Sequence, residues 1–399
     1  GEISELTGRQ YRPFSYYGSP DAENIIVAMG SVTETIKETI DYLEKKGRKY
    51  GLVTVHLYRP FSEKYFLKAL PKHVKKIAVL DRTKEPGALG EPLYLDVKAL
   101  FQGKEQSPIV VGGRYGLSSK DTTPSQIVAV FDNLEQKEPK TDFTIGIVDD
   151  VTFKSLPIRN EISIVKPGTT ECKFYGLGSD GTVGANKNTI KIIGGHTDLY
   201  CQAYFDYDSK KSGGYTCSHL RFGSAPIKAP YLVSTPDFVA CHVTSYLRKY
   251  DVLKGIKTGG TLLLNSIWSE EETIERIPDY CKSVIAKKKI RLFIINATKI
   301  AAEIGLGNRT NTILQSAFFK ITGIIPYEDA VKYMKDAIVK SYGKKGEDVV
   351  NKNFAAVERG GEYVEVTIPE SWSGISAKFE TPGKNRLAPS FVKDVADIV

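Results

Sequence analysis

The stretch Lys173–Gly195, KFYGLGSDGTVGANKNTIKIIGG, decides how the second half of the chain is read. It opens on an apolar run at Phe174 and Tyr175 and breaks into a loop with glycines at 176, 178, 181 and 184. Val183, Ile190, Ile192 and Ile193 then follow at mixed helical spacing. Strand, glycine loop and helix in that order aim backbone N–H groups and the positive end of a helix dipole at an anion. Glycine lets the backbone approach a phosphate because no Cβ intervenes. The expectation is a loop that binds the phosphates of a large nucleotide-type cofactor. Gly176, Gly178 and Gly181 also satisfy the dinucleotide pattern G-x-G-x-x-G, and Asp198 lies twenty residues past Gly178, where a ribose-binding acid could sit. A tight turn whose glycines only permit close packing fits the same residues, so all three readings stand open at this point.

Around this loop, 399 residues suggest two or three domains with cores of their own. Hydrophobic residues at 41% and charged residues at 26% are ordinary for a soluble globular chain. No apolar run approaches the roughly 20 residues that cross a bilayer, and no signal peptide is recognised, so no membrane is expected. The opening GEISELTGRQYRPF lacks an initiating Met and reads as part of a longer chain. The net charge of +8 is spread out rather than clustered, and no zinc finger or aromatic-rich RNA motif occurs, which sets nucleic acid aside. Cysteines 172, 201, 217, 241 and 281 are far apart and contain no C-x-x-C pair, so neither a zinc ribbon nor an iron–sulfur cluster is encoded. Cys201, Cys217 and Cys241 sit among apolar residues and read as reduced core residues of a reducing compartment such as the cytosol. The histidines at 56, 73, 196, 219 and 242 show no ligand spacing and read mostly as structural.

The first domain is expected over 15–167. NIIVAMG, YGLVTVHLYRPF, KIAVLDR and PIVVGGR read as strands, alternating with helical patterns such as Val32–Lys46 and TPSQIVAVFDNL, the latter with a threonine cap and a proline at its first position. Such alternation implies a parallel sheet with helices on both faces. Asp81, Arg82 and Glu85 lie at a strand's C-terminal end, where α/β proteins place sites, but they read as a capping or ion-pair cluster. The second domain is expected over 168–370. YCQAYFDYD and SHLRFG read as strands flanking a basic turn in which Lys210 and Lys211 could bring an ammonium group to a phosphate on the glycine loop. FVACHVTSYLRKY (238–250) reads as a helix, GGTLLLNS and IRLFIINA as strands, and the chain from Ala301 as mainly helical. Asn311 and Asn353 fall near the starts or turns of those helices, as caps or as amides facing a ligand. Residues 1–14 and 371–399 read as linkers, the latter leading into a further domain.

The chain resembles the pyruvate:ferredoxin (flavodoxin) oxidoreductase family almost end to end. The resemblance is carried by LYRPF, LDRTKEPGALGEPLYLDV, IVVGGRYGLSSKDTTPSQIVAVFDNL, GLGSDGTVGANKNTIKIIG, YFDYDSKKSGGYTCSHLRFG, PDFVACH, YDVLKGIKTGGTLLLNS and KKGEDVVNKNFAAVERG. It implies an α/β fold with a transketolase C-terminal-like domain followed by the gamma domain of 2-oxoacid:acceptor oxidoreductases. It implies oxidative decarboxylation of pyruvate with coenzyme A, giving acetyl-CoA, CO₂ and electrons for ferredoxin, flavodoxin or, through a fused reductase, NADP. The gamma domain would contact coenzyme A through Ser179, Asp180, Gly181, Thr182, Val183, Lys211, Asn311 and Asn353, and no catalytic or metal-binding residue is carried over. The thiamine diphosphate motif (GDG with a following Asn-rich segment) and the C-x-x-C-x-x-C-x-x-x-C-P cluster runs do not occur in this sequence. Thiamine diphosphate, Mg and 4Fe-4S clusters are therefore expected in other domains, within a homodimer. The chain alone is expected to be inactive, and either a coenzyme A-binding part or a purely structural, dimer-forming one. The compartment implied is the cytoplasm, with a hydrogenosome-type organelle as the alternative.

Overall fold

The computed structural model describes residues 2–105, 107–207 and 214–380. The chain divides into two compact units, one formed by the residues up to Val165 with Lys228–Leu232, the other by Lys166–Ile227 and the chain from Val233 onward.

In the first unit the strands are β1 (Phe14–Gly18), β2 (Asn24–Ala28), β3 (Tyr50–Val55), β4 (Lys76–Asp81), β5 (Ile109–Arg114) and β6 (Phe143–Thr144). The helices are α1 (Glu2–Thr7), α2 (Val32–Glu44), α3 (Glu63–Ala69), α4 (Pro92–Ala99) and α5 (Pro124–Glu135). The sheet order is β1-β3-β2-β4-β5-β6, parallel except for the antiparallel edge strand β1. The central strands are near-continuous apolar runs because both of their faces are covered. Ile36 and Ile40 of α2 join Ile127 and Phe131 of α5 in one core, while Phe66 of α3 joins Leu93 and Val97 of α4 in the other. Pro124 opens α5, where Gln126 accepts the Thr123 N–H at 3.3 Å. Asp81, at the end of β4, accepts the N–H groups of Leu93 and Tyr94 at 3.1 and 3.0 Å. It thereby caps α4, and its burial raises the carboxyl pKa above the usual range. The strand-end acid of this unit is a structural clamp.

In the second unit the strands are β7 (Thr169–Leu177), β8 (Tyr200–Tyr207), β9 (Tyr215–Gly223), β10 (Phe238–Cys241), β11 (Thr261–Asn265), β12 (Arg291–Ile295) and β13 (Val364–Glu365). The helices are α6 (Thr182–His196), α7 (Tyr246–Lys249), α8 (Glu270–Arg276), α9 (Asp279–Lys288), α10 (Ala297–Glu303), α11 (Asn311–Thr322), α12 (Tyr327–Tyr342) and α13 (Glu347–Arg359). The sheet order is β13-β12-β11-β10-β7-β9-β8, with β7, β10, β11 and β12 parallel and the other pairings antiparallel. Phe174, Phe222, Phe238 and Phe293 pack on one face beneath α6, α11, α12 and α13. Tyr175, Val239, Leu262 and Leu292 pack on the other against α7 and α9.

Two segments depart from the sequence expectation. Residues 238–250 are not one helix: Phe238–Cys241 form β10, fully buried between β7 and β11, and the helix is confined to α7. A four-residue apolar run buried on both faces has no period that would distinguish strand from helix. Residues 371–380 pack as part of the unit instead of leaving it: Trp372 is buried, and the Phe379 ring lies edge-on to Tyr280 at 5.1 Å. The remaining 381–399 lie outside the described residues.

Candidate functional site

From β7 the chain passes through α6 to β8 and β9 on one side, and then to β10, β11 and β12 on the other. The crevice between the C-terminal ends of β7 and β10 is therefore a topological switch point, where open parallel sheets seat ligands. The ends are stitched together by backbone and amide. His242 N–H donates to Tyr175 C=O at 2.9 Å, and Asn265 Nδ2 donates to His242 C=O at 3.2 Å while its Oδ1 accepts Ala297 N–H at 3.1 Å. These bonds hold His242 at the crevice.

The glycine loop bridges β7 to α6. Ser179 and Gly181 have positive φ, 74° and 91°, and Gly181 is the residue that caps α6. Within the loop Asp180 N–H bonds to Leu177 C=O at 3.0 Å, Gly178 N–H to Gly214 C=O at 2.7 Å and Thr182 N–H to the Asp180 carboxylate at 2.7 Å. The N–H groups of Ser179, Gly181, Val183 and Gly184 have no acceptor among the described residues. They form a row of donors at the positive end of a 15-residue helix. Three of these four donors belong to residues in the expected contact set.

The side chains of the expected set divide by role. Asp180 turns inward: its carboxylate accepts Leu177 N–H at 2.8 Å, Thr182 N–H at 2.7 Å and Thr182 Oγ1 at 2.8 Å, so it shapes the loop. Thr182 Oγ1 also lies 2.7 Å from His242 Nδ1. Asn311 begins α11 beside the loop, with its Cγ 3.1 Å from where a Cβ on Gly181 would stand, and its amide has no hydrogen-bond partner among the described residues. Asn353 lies on α13, buried, with Nδ2 donating to Val349 C=O at 2.8 Å. Lys210 and Lys211 lie outside the described residues.

The glycines differ in kind. A Cβ on Gly176 would stand 2.5 Å from Thr182 Oγ1, so this glycine lets the helix start press on the strand. A Cβ on Gly184 would meet nothing within 4 Å, so its bare backbone faces open space. Asp198 is exposed just past the C-terminal end of α6, about 22 Å along the helix from the loop at 1.5 Å per residue. No ribose-binding acid is thus supplied there.

Sequence reading missed His242, whose partner Thr182 is sixty residues away in the chain. It lines a cavity of about 320 Å³ together with Thr244, Asn265, Ile267, Trp268 and Thr298. Burial pushes the His242 imidazole pKa well below its ordinary value, against the opposing charge of Asp180. It is neutral at physiological pH. Among the described residues no helix is long and apolar enough to cross a membrane.

Comparison with known proteins places the sequence. The family model Pyruvate ferredoxin/flavodoxin oxidoreductase matches residues 171–363, and Pyruvate:ferredoxin oxidoreductase core domain II matches 22–127. Pyruvate:ferredoxin oxidoreductase of Moorella thermoacetica is 56% identical over 99% of this chain and 34% of its own length. Pyruvate-flavodoxin oxidoreductase of Enterobacter agglomerans is 54% identical over 99% of this chain and 34% of its own length. Pyruvate dehydrogenase [NADP(+)], mitochondrial, of Euglena gracilis is 47% identical over 99% of this chain and 22% of its own length. The chain spans about a third of the length of the first two relatives, and with agreement this close across both units it belongs to the pyruvate:ferredoxin/flavodoxin oxidoreductase family.

Proposed function

We propose that this chain holds coenzyme A for a pyruvate oxidoreductase and serves as scaffold between that enzyme's other domains. In this reading the first unit is the transketolase C-terminal-like domain and the second the gamma domain. The whole enzyme, a homodimer, converts pyruvate and coenzyme A to acetyl-CoA and CO₂ and passes electrons to ferredoxin, flavodoxin or NADP. Among the described residues no three His, Cys, Asp or Glu side chains converge on one point. Thiamine diphosphate and the clusters belong to other parts of the enzyme, and the chain alone is inactive.

The observation that carries the reading is the row of four N–H groups at Ser179, Gly181, Val183 and Gly184, without an acceptor among the described residues and on the positive end of α6. A pyrophosphate brings anionic acceptors, and a hydrogen bond to a charged group contributes about 1.5–3 kcal/mol. The helix dipole adds to this, and Asn311 offers a donor or an acceptor beside the same loop. Lys211 supplies a further positive charge.

Titration calorimetry of this chain with coenzyme A, at low and moderate salt and with NAD as control, tests the reading. Binding that weakens with salt and is absent for NAD is expected. Gly184→Val is the sharper variant, because valine is a better helix former than glycine and its Cβ enters open space. Its thermal unfolding should be unchanged or later, while coenzyme A binds at least about tenfold more weakly, a difference of 1.4 kcal/mol. Undiminished affinity in Gly184→Val would overturn the placement of the phosphates.

A further inference from the structure

Thr182 Oγ1 sits 2.8 Å from an Asp180 carboxylate oxygen and 2.7 Å from His242 Nδ1, and it has one proton to give. A carboxylate only accepts, so the hydroxyl proton points to Asp180. The Thr182–His242 contact then needs its proton from the ring: Nδ1 carries the hydrogen and donates to Thr182. A neutral imidazole with hydrogen on Nδ1 has a bare lone pair on Nε2. That atom has no partner among the described residues, and it is absent from the set of unpartnered side-chain atoms sealed from solvent. It therefore opens on the cavity that the ring lines.

The other walls of that cavity narrow the ligand. Asn265 is held through one hydrogen bond on each amide atom, and Thr244 Oγ1 donates to Asn265 C=O at 2.8 Å. The walls offer a ligand the His242 Nε2 lone pair, the flat indole of Trp268, the side chain of Ile267 and the exposed Thr298 hydroxyl. A volume of about 320 Å³ lies at the small end of ligand pockets. The cavity touches the phosphate loop through the Thr182–His242 contact.

We propose that this cavity is a subsite for a purine base bearing an exocyclic amine, with His242 Nε2 accepting the amine hydrogen and Trp268 flanking the ring. The inference rests on the coenzyme A reading and assigns the adenine end of that ligand to the ends of β10, β11 and β12, beside the switch-point crevice. His242 is then a specificity residue: it favours adenine over a base that presents a carbonyl at the same edge, because two acceptors would face each other.

The experiment uses this chain, uniformly ¹⁵N-labelled at histidine, with 3′,5′-ADP and 4′-phosphopantetheine as separate probes. Long-range ¹H–¹⁵N correlation should show His242 protonated on Nδ1 and bare on Nε2 in the free chain. Adding 3′,5′-ADP should move the Nε2 resonance, and adding phosphopantetheine should not. In His242→Asn the amide Nδ2–H keeps a donor near Thr182 and removes the Nε2 acceptor. Its affinity for 3′,5′-ADP should fall about tenfold while phosphopantetheine is held as before. A ring protonated on Nε2, or a 3′,5′-ADP affinity unchanged in His242→Asn, overturns the subsite while leaving the coenzyme A reading standing. Sensitivity of phosphopantetheine alone would also overturn it, by giving the cavity to the other arm. Failure of the unaltered chain to bind coenzyme A, 3′,5′-ADP or phosphopantetheine overturns both.

Discussion

Arg221→Leu is expected to destabilise the second unit by about 3–5 kcal/mol, the usual result of stripping one partner from a buried ion pair. Arg221 Nε lies 2.8 Å from Glu171 Oε1, and the two side chains are 3% and 1% exposed. They face each other directly across the β7–β9 pairing, so backbone register holds them in place before any side-chain attraction acts. The remaining valences are filled as well: Thr235 Oγ1 donates to Glu171 Oε2 at 2.9 Å and Arg221 Nη1 to Gln202 Oε1 at 3.0 Å. Leucine at 221 leaves the Glu171 carboxylate without a cation in a site from which water is excluded. The double variant Glu171→Leu/Arg221→Leu removes both charges, and it should recover most of the loss, ending within about 2 kcal/mol of the unaltered chain once the orphaned Thr235 and Gln202 groups are counted. Urea unfolding of the four proteins measures this cycle. A single variant within about 1 kcal/mol of the parent would mean that the pair is effectively solvated, contrary to its burial. The effect bears on function because β7 runs from Glu171 to the glycine loop, and a loosened strand base would release the loop's geometry.

The parts of this molecule legible in its sequence are those set by local pattern. Alternating apolar strands and amphipathic helices identify the first unit's parallel sheet, and the Thr123–Pro124 start of α5 is readable in two adjacent residues. The glycine loop is legible as strand, turn and helix, but the letters do not say what each glycine is for. Gly176 admits Thr182, Gly181 adopts a positive φ beside Asn311, and Gly184 leaves open space; these differ only in three dimensions. Local pattern fails at β10, where a short run buried on both faces reads as a helix but forms a strand. That failure hid His242, because a histidine placed inside a helix shows no sign of standing at a strand's C-terminal end. Asp180 shows the converse. A conspicuous acid in a phosphate-type loop reads as a ligand contact, yet its carboxylate accepts three donors from the loop itself.

Acid should weaken the second unit well before its carboxylates are protonated, because two of its histidines are held neutral. His219 is 5% exposed. Its Nδ1 accepts Val233 N–H at 3.2 Å, and its Nε2 is sealed without a partner. Burial first, then the positive charges of Lys173 and Arg221, push its pKa from the ordinary 6.5 down to about 3. His242 is depressed in the same direction, chiefly by burial, with Asp180 opposing. A group whose folded pKa lies below its unfolded value takes up a proton on unfolding throughout the interval between the two. Its stabilisation is therefore complete above about pH 6.5 and is lost as pH falls towards the folded value. Each such histidine contributes a slope that grows from about 0.7 kcal/mol per pH unit at pH 6.5 towards about 1.4 kcal/mol per unit below it. Between pH 6.5 and 5.5 the pair should remove about 2 kcal/mol, a sizeable share of a domain stability of about 5–15 kcal/mol. Asp206 and Asp251 work in the opposite direction, since burial raises their pKa and favours the folded state as they protonate. Urea unfolding at pH 7.5, 6.5 and 5.5 reads the slope directly. His219→Gln, which cannot titrate, should roughly halve it whatever the variant's absolute stability. A parent chain equally stable at all three pH values, or an undiminished slope in His219→Gln, would mean that the imidazoles gain protons within the folded unit. The neutral His242 on which the loop's hydrogen-bond order depends would then no longer be secured by burial.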